Sequence, residues 1–337
     1  LKQPCVACAP VMGPLPRPWP LSFAAVMGGF RGIMRTIPEP LVSSPGFAQM
    51  VLQPIANNVA WPTIMLPPRV RVNTGAVSGI QGEWFLPRKP QAKTSSQDLL
   101  VWVHGGGFVF CSPGTHRLFL ATLAAYADIP IFCIDYRKPP EYPFPTPVED
   151  VACALRACRQ QRPEGQLFLG GDSAGGNLAI SATKVLLEPG ADLASVPEGL
   201  VLMSPWVDLS DTHEESWTSE VDYIPANLAQ VAAKYYAGNL SLADSRVSPA
   251  LSKSWSRFPR TLLEIGGDEC FRGQIERLCK AMRDGGVEVD MWVEEGMPHC
   301  YPLWEWAWGH DPGPFEAAHE RIAAFFKSSC SRNSEEK

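Results

Sequence analysis

The sequence predicts an α/β fold with a mainly parallel central sheet flanked by helices, together with a helical cap. Three observations support this class: short runs of almost uniformly apolar residues recur along the chain, small residues follow these runs, and helical stretches separate them. A strand without a polar face is buried on both sides, as in parallel sheets that helices cover. The runs span residues 99–103, 129–134, 167–169, 200–203, 261–265 and 287–293.

The segment before these runs predicts part of a cap and two opening strands. Residues 1–60 combine helical apolar spacing with many prolines, which favours short helices lying over the sheet. Alternation within residues 69–87 predicts two strands joined by a turn around Gly79 and Gly82.

A segment between two of these runs also interrupts the alternation of apolar runs and helical stretches. Residues 209–245 are first polar, then amphipathic, then turn-like, which indicates a helical insertion that we expect beside the N-terminal helices as the other half of the cap. The main domain is then expected over residues 61–330, with a polar tail at 331–337.

Composition excludes several classes of protein. Of 337 residues, 45% are apolar and 19% are charged, a balance typical of a globular chain rather than a disordered one. The net charge of -6 argues against nucleic acid as a partner. Apolar stretches are too short for a membrane span, and prolines interrupt the first residues where a signal peptide would need an apolar core.

Ten cysteines are scattered along the chain without the dense spacing of a disulfide framework, which favours a reducing, cytoplasmic setting. Cys5 and Cys8 form a lone CxxC pair with no second cysteine or histidine pair at zinc-ligand spacing. We interpret them as free thiols and expect no metal.

A serine stands where one apolar run ends. Residues 171–175 read G-x-S-x-G between a predicted strand and a predicted helix, the context in which a sharp turn lifts the Ser173 hydroxyl above the sheet edge. Glycines at both ends leave room for that turn. The pattern alone also fits an ordinary strand-to-helix turn, so it requires a second element.

That second element is a glycine run, "HGGGF" at residues 104–108, directly after the first apolar run. An acyl-transfer reaction passes through an oxyanion, which exposed backbone N–H groups can stabilise. We predict that the amides of Gly105, Gly106 and Ala174 supply these bonds. A phosphate-binding loop is disfavoured because no G-K-[ST] or GxGxxG follows.

A serine hydroxyl needs a base, which an acid orients. Where a glycine run precedes a G-x-S-x-G turn, the acid and then the base follow the serine along the chain. His299 is the preferred base because it follows a late strand in a short loop. His310 is the alternative, whereas His213 lies in the polar insertion and His319 in a terminal amphipathic helix.

Asp268 is the preferred acid, since it follows Gly266 and Gly267 at the end of the strand before the histidine. Its neighbour Glu269 is expected to point elsewhere. Asp208 is expected to brace the insertion.

Five ordered stretches carry a family resemblance: "HGGGF", "DYRKPPEYPFPTPVED", "GDSAGG", "DSRVSPAL" and "GMPH". Together they resemble the hormone-sensitive-lipase-like branch of the α/β-hydrolases, the HGGG esterases. The resemblance implies Ser173 as nucleophile, Asp268 as acid, His299 as base and a two-part cap. It also implies hydrolysis of short- or medium-acyl carboxylic esters without metal or cofactor.

The chain departs from the family pattern at two cysteines. The family often has "DPLRDE" around the acid, and here Cys270 stands where proline is usual. Cys300 follows the histidine where glycine is common. A tryptophan-rich stretch at 302–308 suggests a flat or bulky apolar substrate, such as an aromatic ester or a lactone, although such stretches more often serve packing within the protein.

The sequence thus predicts a serine carboxylesterase with a small-molecule ester as substrate. An acyltransferase, lyase or cyclase on the same scaffold is the alternative, because a fold does not fix a reaction. A non-catalytic receptor is disfavoured since all three candidate triad residues are present. A homodimer is left open. Candidates for lining the pocket are the aromatic residues near the strand ends and cap, Phe108, Phe110, Trp206 and Tyr223.

Overall fold

A nine-stranded sheet runs through the residues that this computed structural model describes, namely 11–12, 19–38, 43–45, 53–54, 65–88, 97–211, 222–309 and 313–335. The strand order is β1-β9-β8-β7-β6-β4-β5-β3-β2. The strands are β1 (Val11–Met12), β2 (Val70–Val77), β3 (Ile80–Pro87), β4 (Leu99–Val103), β5 (Ile131–Ile134), β6 (Leu167–Asp172), β7 (Gly199–Met203), β8 (Arg260–Gly266) and β9 (Val289–Glu294).

The pairing confirms the predicted mainly parallel sheet. Strands β4 to β9 pair in parallel, whereas β2 and β3 form an antiparallel hairpin that joins the sheet through β5. The hairpin turns at Ser78 and Gly79. The expectation that Gly82 belongs to this turn is wrong: it lies inside β3 opposite Ile134, where a Cβ would lie 2.3 Å from the Cys133 carbonyl oxygen.

Helices cover both faces of the sheet. They are α1 (Leu21–Thr36), α2 (Arg117–Ala127), α3 (Thr146–Gln161), α4 (Ala174–Leu186), α5 (Ala226–Ala237), α6 (Arg272–Asp284), α7 (Glu305–Trp308) and α8 (Gly313–Glu335). Successive strand residues point to opposite faces, so Val101 and Val103 pack with α3, α4 and α6, while Leu100 and Trp102 pack with α2 and α8. Helix α8 continues into the segment expected to be a polar tail.

Two described parts of the expected cap are in contact. Leu228 and Val231 of α5 pack with Met34 and Ile37 at the end of α1. At its other end, α1 buries Phe23 among the rings of Trp19, Trp308 and Phe315. The N-terminal helix therefore joins the insertion to the C-terminal part of the chain.

The aromatic anchor of α1 generates a prediction about stability. Phe23 is fully buried, whereas Leu21 on the same helix is 89% exposed. We expect Phe23→Ala to lower the free energy of unfolding by about 3–5 kcal/mol because it leaves a cavity. Leu21→Ala, the matched control, is expected to change it by less than about 0.5 kcal/mol. Urea denaturation measures both, and equal effects would show that α1 is not anchored through Phe23.

Candidate active site

Ser173 occupies a sharp turn between β6 and α4. Its φ of 53° and ψ of -123° lie outside the regions that residues with side chains normally adopt. Two backbone bonds hold the turn: Ser173 N–H donates to the Met203 carbonyl at 2.9 Å, and Trp206 N–H donates to the Ser173 carbonyl at 3.0 Å. The structure thus places this serine on the strand-to-helix turn that the sequence predicts.

The glycines around Ser173 are required by close backbone contacts. A Cβ on Gly175 would lie 2.0 Å from the carbonyl oxygen of Val103 on the neighbouring strand. A Cβ on Gly171 would lie 2.6 Å from the backbone of Gly175. Both distances are far below van der Waals contact, so the turn can form only without side chains at these positions.

His299 lies buried in the loop after β9. Its Nδ1 atom is 3.7 Å from Glu269 Oε1, and its Nε2 atom is 3.3 Å from Cys300 Sγ. Neither Nδ1 nor Oε1 has a hydrogen-bond partner among the described residues. The two atoms therefore face each other at a distance slightly longer than a hydrogen bond.

The expectation that Asp268 is the residue beside this histidine is wrong. Asp268 is exposed, and its N–H donates to the Met297 carbonyl at 3.0 Å. The next side chain, Glu269, turns inward and is 1% exposed. Glu269 Oε2 accepts hydrogen bonds from Gly266 N–H at 2.8 Å and Ser204 Oγ–H at 2.5 Å. These buried donors direct Glu269, rather than Asp268, toward the imidazole.

Ser173 and the histidine loop approach each other through a shared neighbour. The Met203 carbonyl, at the end of β7, accepts from Ser173 N–H and lies 3.9 Å from Cys300 Sγ. Ser204, the next residue, donates to Glu269 and accepts from Cys300 N–H at 3.0 Å. The end of β7 thus connects the serine turn, the acid and the histidine loop.

The charges around His299 favour its protonated form. Burial lowers the pKa of His299, but the carboxylate of Glu269, followed by those of Asp222 and Asp172, outweighs burial and raises it above the ordinary value. Burial also raises the pKa of Glu269, and the contacts with His299 and Ser204 oppose that rise without cancelling it. The buried pair can therefore accept and hold a proton on the imidazole.

The glycine run differs from the predicted arrangement at Gly105. Its N–H donates to Asp172 Oδ2 at 3.0 Å inside the protein, so this amide is already occupied and the expectation that it is an oxyanion donor is wrong. Gly106 and Gly107 follow with φ of 105° and 60°. Their amides, and that of Ala174 at the start of α4, have no acceptor within the described part of the chain.

Asp172 ties the glycine run to the serine turn. Besides Gly105, its carboxylate accepts from Trp102 Nε1–H at 3.0 Å and lies 3.1 Å from His116 Nε2. Burial raises the pKa of Asp172, but the charge of His116 and these hydrogen bonds outweigh burial and lower it. An ionised carboxylate therefore fixes the loop of Gly105 beside the residue preceding the serine.

The aromatic pocket candidates occupy different places. Phe108 is buried and stacks on Tyr236 of α5 at 3.8 Å between ring centroids. Trp206 is buried and stacks on Phe271 at 5.4 Å, and the edge of Phe271 meets the His299 ring at 4.9 Å.

The other two candidates are partly buried. Phe110 packs against the core, and Tyr223 donates its hydroxyl to the His299 carbonyl at 3.1 Å.

Of the other histidines considered as the base, His319 lies in the described residues, and its ring packs elsewhere. His319 lies in α8, where its ring packs with Phe119 and Tyr126 at centroid distances of 5.2 and 5.5 Å. His213 and His310 lie outside the described residues, as do Cys5 and Cys8.

Sequence reasoning missed Ser204 and Asp222 altogether. Asp222 is a buried carboxylate that accepts from Cys270 N–H at 2.7 Å and from His299 N–H at 3.3 Å. Neither residue lies in a motif that suggests such a role. For Glu269 a signal existed: in "DPLRDE" the proline directly follows the acid, and Cys270 stands in the place of that proline.

The described residues contain neither a candidate metal site nor a candidate membrane span. No group of three His, Cys, Asp or Glu side chains is arranged there to hold a metal ion. No helix in the same residues has the length and apolar character needed to cross a membrane.

Known proteins resemble this chain in sequence and structure. A family model described as alpha/beta hydrolase fold matches residues 100–303. An acetyl-hydrolase from Streptomyces hygroscopicus is 31% identical over 254 residues, which cover 73% of this chain and 79% of the relative. An esterase from Acinetobacter venetianus is 28% identical over 246 residues, covering 72% and 78%.

A solved structure extends the similarity over most of the fold. An esterase from the bacterial hormone-sensitive lipase family superposes with a TM-score of 0.74 at 25% identity. The superposition covers 93% of this chain and 99% of that chain. The range matched by the family model, 100–303, includes the serine turn, the acid loop and the histidine loop.

The serine turn generates a prediction that contrasts two helical glycines. Gly175→Ala places a methyl group against the Val103 carbonyl, so we expect a loss of about 3 kcal/mol or more in the free energy of unfolding. Gly28→Ala in α1 meets no atom within 4 Å and is expected to gain up to about 1 kcal/mol from helix propensity. Thermal unfolding of both variants checks this, and a stable Gly175→Ala protein would contradict the close packing.

Proposed function

The chain belongs to the α/β-hydrolase fold family, in its hormone-sensitive-lipase-like branch, and from that premise we propose that it is a serine carboxylesterase acting through Ser173, His299 and Glu269. The observation that carries the proposal is the buried contact between Glu269 Oε1 and His299 Nδ1. Strands β6, β8 and β9 lie parallel, so Ser173, Glu269 and His299 all follow strand ends at one edge of the sheet. This edge is where ligands bind in such folds.

The reaction begins with proton transfer from Ser173 to His299. Nε2 of the imidazole removes the hydroxyl proton as Oγ attacks the ester carbonyl carbon, and the carbonyl oxygen becomes an oxyanion. The imidazolium then protonates the leaving alcohol, which breaks the ester bond and leaves an acyl-enzyme on Ser173. Water then attacks the acyl carbon while His299 takes its proton, and the imidazolium returns a proton to Ser173 Oγ as the bond between Oγ and the acyl carbon breaks and the acid leaves.

Glu269 stabilises the charged imidazole in each step. Its Oε1 faces Nδ1, so the carboxylate favours the tautomer with the proton on Nδ1, in which Nε2 is unprotonated and can accept the serine proton. Ser204 and Gly266 hold the other carboxylate oxygen, which keeps the charge oriented before the reaction begins. Such prior orientation lowers the barrier because little rearrangement is needed as charge develops.

Gly106, Gly107 and Ala174 are the proposed oxyanion donors. Gly105 instead acts as the support of the loop, because its amide is held by Asp172. A typical donor of this kind contributes about 10²- to 10³-fold to turnover. The positive φ at Gly106 and Gly107 supports amides that are turned away from the regular backbone direction.

The proposed substrate is a small carboxylic ester with a short or medium acyl group. Relatives named acetyl-hydrolase and esterase support this class. Phe108 and Trp206 are buried aromatic residues with ring centroids 5.5 Å apart, and Trp206 N–H donates to the Ser173 carbonyl, so we propose that these rings border the site of the acyl group. Described cysteine side chains are free thiols, which supports the expected reducing, cytoplasmic setting.

The assignment of the nucleophile is tested by removing one oxygen atom. We expect Ser173→Ala to lower kcat for p-nitrophenyl acetate by about 10⁴-fold or more, because the acyl-enzyme cannot form. A fluorophosphonate probe should label the native protein on Ser173 and leave the variant unlabelled. Ser254→Ala, at an exposed serine, is the control and should retain activity. Undiminished hydrolysis by Ser173→Ala would refute the proposal.

The identity of the acid is tested by two neighbouring substitutions. Glu269→Gln should lower kcat by about 10⁴-fold, whereas Asp268→Asn should remain close to wild type. Since His299 must be neutral to act as base and its pKa is raised, activity in the native enzyme should fall on acidification with a midpoint above about 6.5.

In Glu269→Gln, the charge that raises the pKa of His299 is lost, so the midpoint of the acid limb in the residual activity should move to lower pH. The measurement is kcat/KM against pH for all three proteins. A large loss in Asp268→Asn with an active Glu269→Gln enzyme would restore the acid predicted from sequence.

A further inference from the structure

Asp222 is a buried carboxylate in the insertion, shortly before helix α5. A carboxylate removed from water is strongly destabilised unless polar groups replace the lost hydration. Asp222 therefore requires donors from the protein around it, and their identity shows what it holds in place.

Three backbone amides donate to this carboxylate. Oδ1 accepts from Tyr223 N–H at 2.8 Å and from His299 N–H at 3.3 Å, while Oδ2 accepts from Cys270 N–H at 2.7 Å. The donors belong to the cap insertion, the histidine loop and the acid loop. One carboxylate thus spans the two loops that carry His299 and Glu269.

The next residue of the insertion completes the contact. Tyr223 donates its hydroxyl to the His299 carbonyl at 3.1 Å, and the centroids of the two rings lie 6.0 Å apart. Both backbone polar groups of His299 are therefore bonded to Asp222 and Tyr223, two consecutive residues of the insertion. We name this pair the insertion clamp.

From this juxtaposition we infer that Asp222 is a positioning residue for the esterase reaction: it fixes the histidine loop against the acid loop and supplies a second buried negative charge beside the imidazolium. The inference rests on the proposed function. It assigns the insertion a part in catalysis besides covering the substrate.

The electrostatic surroundings agree with this role. Ionisable groups that act on the His299 ring come from several elements: Glu269 after β8, Asp222 on the insertion and Asp172 at the end of β6. Cys270, Cys300 and Tyr223 also lie near Asp222, and burial raises the pKa of each, so they stay neutral at physiological pH. The charge of Asp222 is thus one of a small set that can stabilise the imidazolium.

The decisive variant is Asp222→Asn, which keeps the shape and removes the charge. We expect kcat/KM at neutral pH to fall about tenfold, mainly through kcat, because the imidazolium formed in the transition state loses stabilisation. The acid limb of the profile should move to lower pH by about one pH unit, since a neutral neighbour favours the imidazolium less. A residue with only a structural role would not move that limb.

Asp208→Asn is the matched control. Asp208 is also a buried carboxylate and directly precedes the insertion, but it accepts from Ser210 N–H at 3.0 Å and Ser210 Oγ–H at 2.6 Å. Its variant should keep the wild-type acid limb and turnover. Identical profiles for Asp222→Asn and Asp208→Asn would overturn the inference.

Two further variants keep the test decisive if Asp222→Asn does not fold. Asp222→Glu retains the charge on a longer side chain, so it should lower kcat and leave the acid limb in place. Tyr223→Phe removes the hydroxyl bond to the His299 carbonyl and should lower kcat several-fold without changing the limb. Wild-type kcat in both variants would overturn the insertion clamp.

Failure of the proposed function gives a different result. If Ser173→Ala remained active, the reaction would not use this site and none of the Asp222 variants could be interpreted through His299. Loss of activity in Ser173→Ala with unchanged Asp222 variants would refute only the positioning role.

Discussion

The contact between Glu269 and His299 depends on burying a carboxylate where the protein must replace water. Gly266 N–H and Ser204 Oγ–H satisfy one oxygen of Glu269, which leaves the other facing the imidazole. Removing either donor would leave a buried charge without its partners, and such losses are strongly destabilising. The ends of β7 and β8 must therefore stay in register, because Ser204 and Gly266 belong to those two ends.

The fixed register of neighbouring strand ends also explains why Ser173 can keep a strained backbone conformation. Ser173 has an unfavourable backbone conformation, but its N–H and carbonyl are bonded to Met203 and Trp206 on the neighbouring segment. Asp172, directly before it, is held by Trp102 and Gly105. A conformation that costs a few kilocalories per mole persists when the surrounding structure fixes it so fully. Strain and buried charge are thus supported by one sheet edge.

Much of this arrangement could be predicted from the sequence, because apolar runs locate strands and small residues mark the turns after them. That pattern places Ser173 and His299 after strand ends, and the glycine run and the order of residues along the chain make them the preferred nucleophile and base. The choice between Asp268 and Glu269 does not, because it depends on which side chain meets the buried donors beyond the strand end. The prediction that Gly105 is an oxyanion donor fails for a similar reason: its N–H donates to Asp172, which lies 67 positions away in the chain. Hydrogen bonds between distant segments leave no local pattern.

The most direct test of the account is the proton NMR spectrum of the His299 ring in its protonated form. A hydrogen bond from Nδ1–H to a buried carboxylate moves that proton far downfield of ordinary imidazole protons. If Glu269 is the carboxylate that faces Nδ1, this resonance is present in the native protein and in Asp268→Asn, and absent in Glu269→Gln. A resonance that survives in Glu269→Gln and disappears in Asp268→Asn would contradict that assignment.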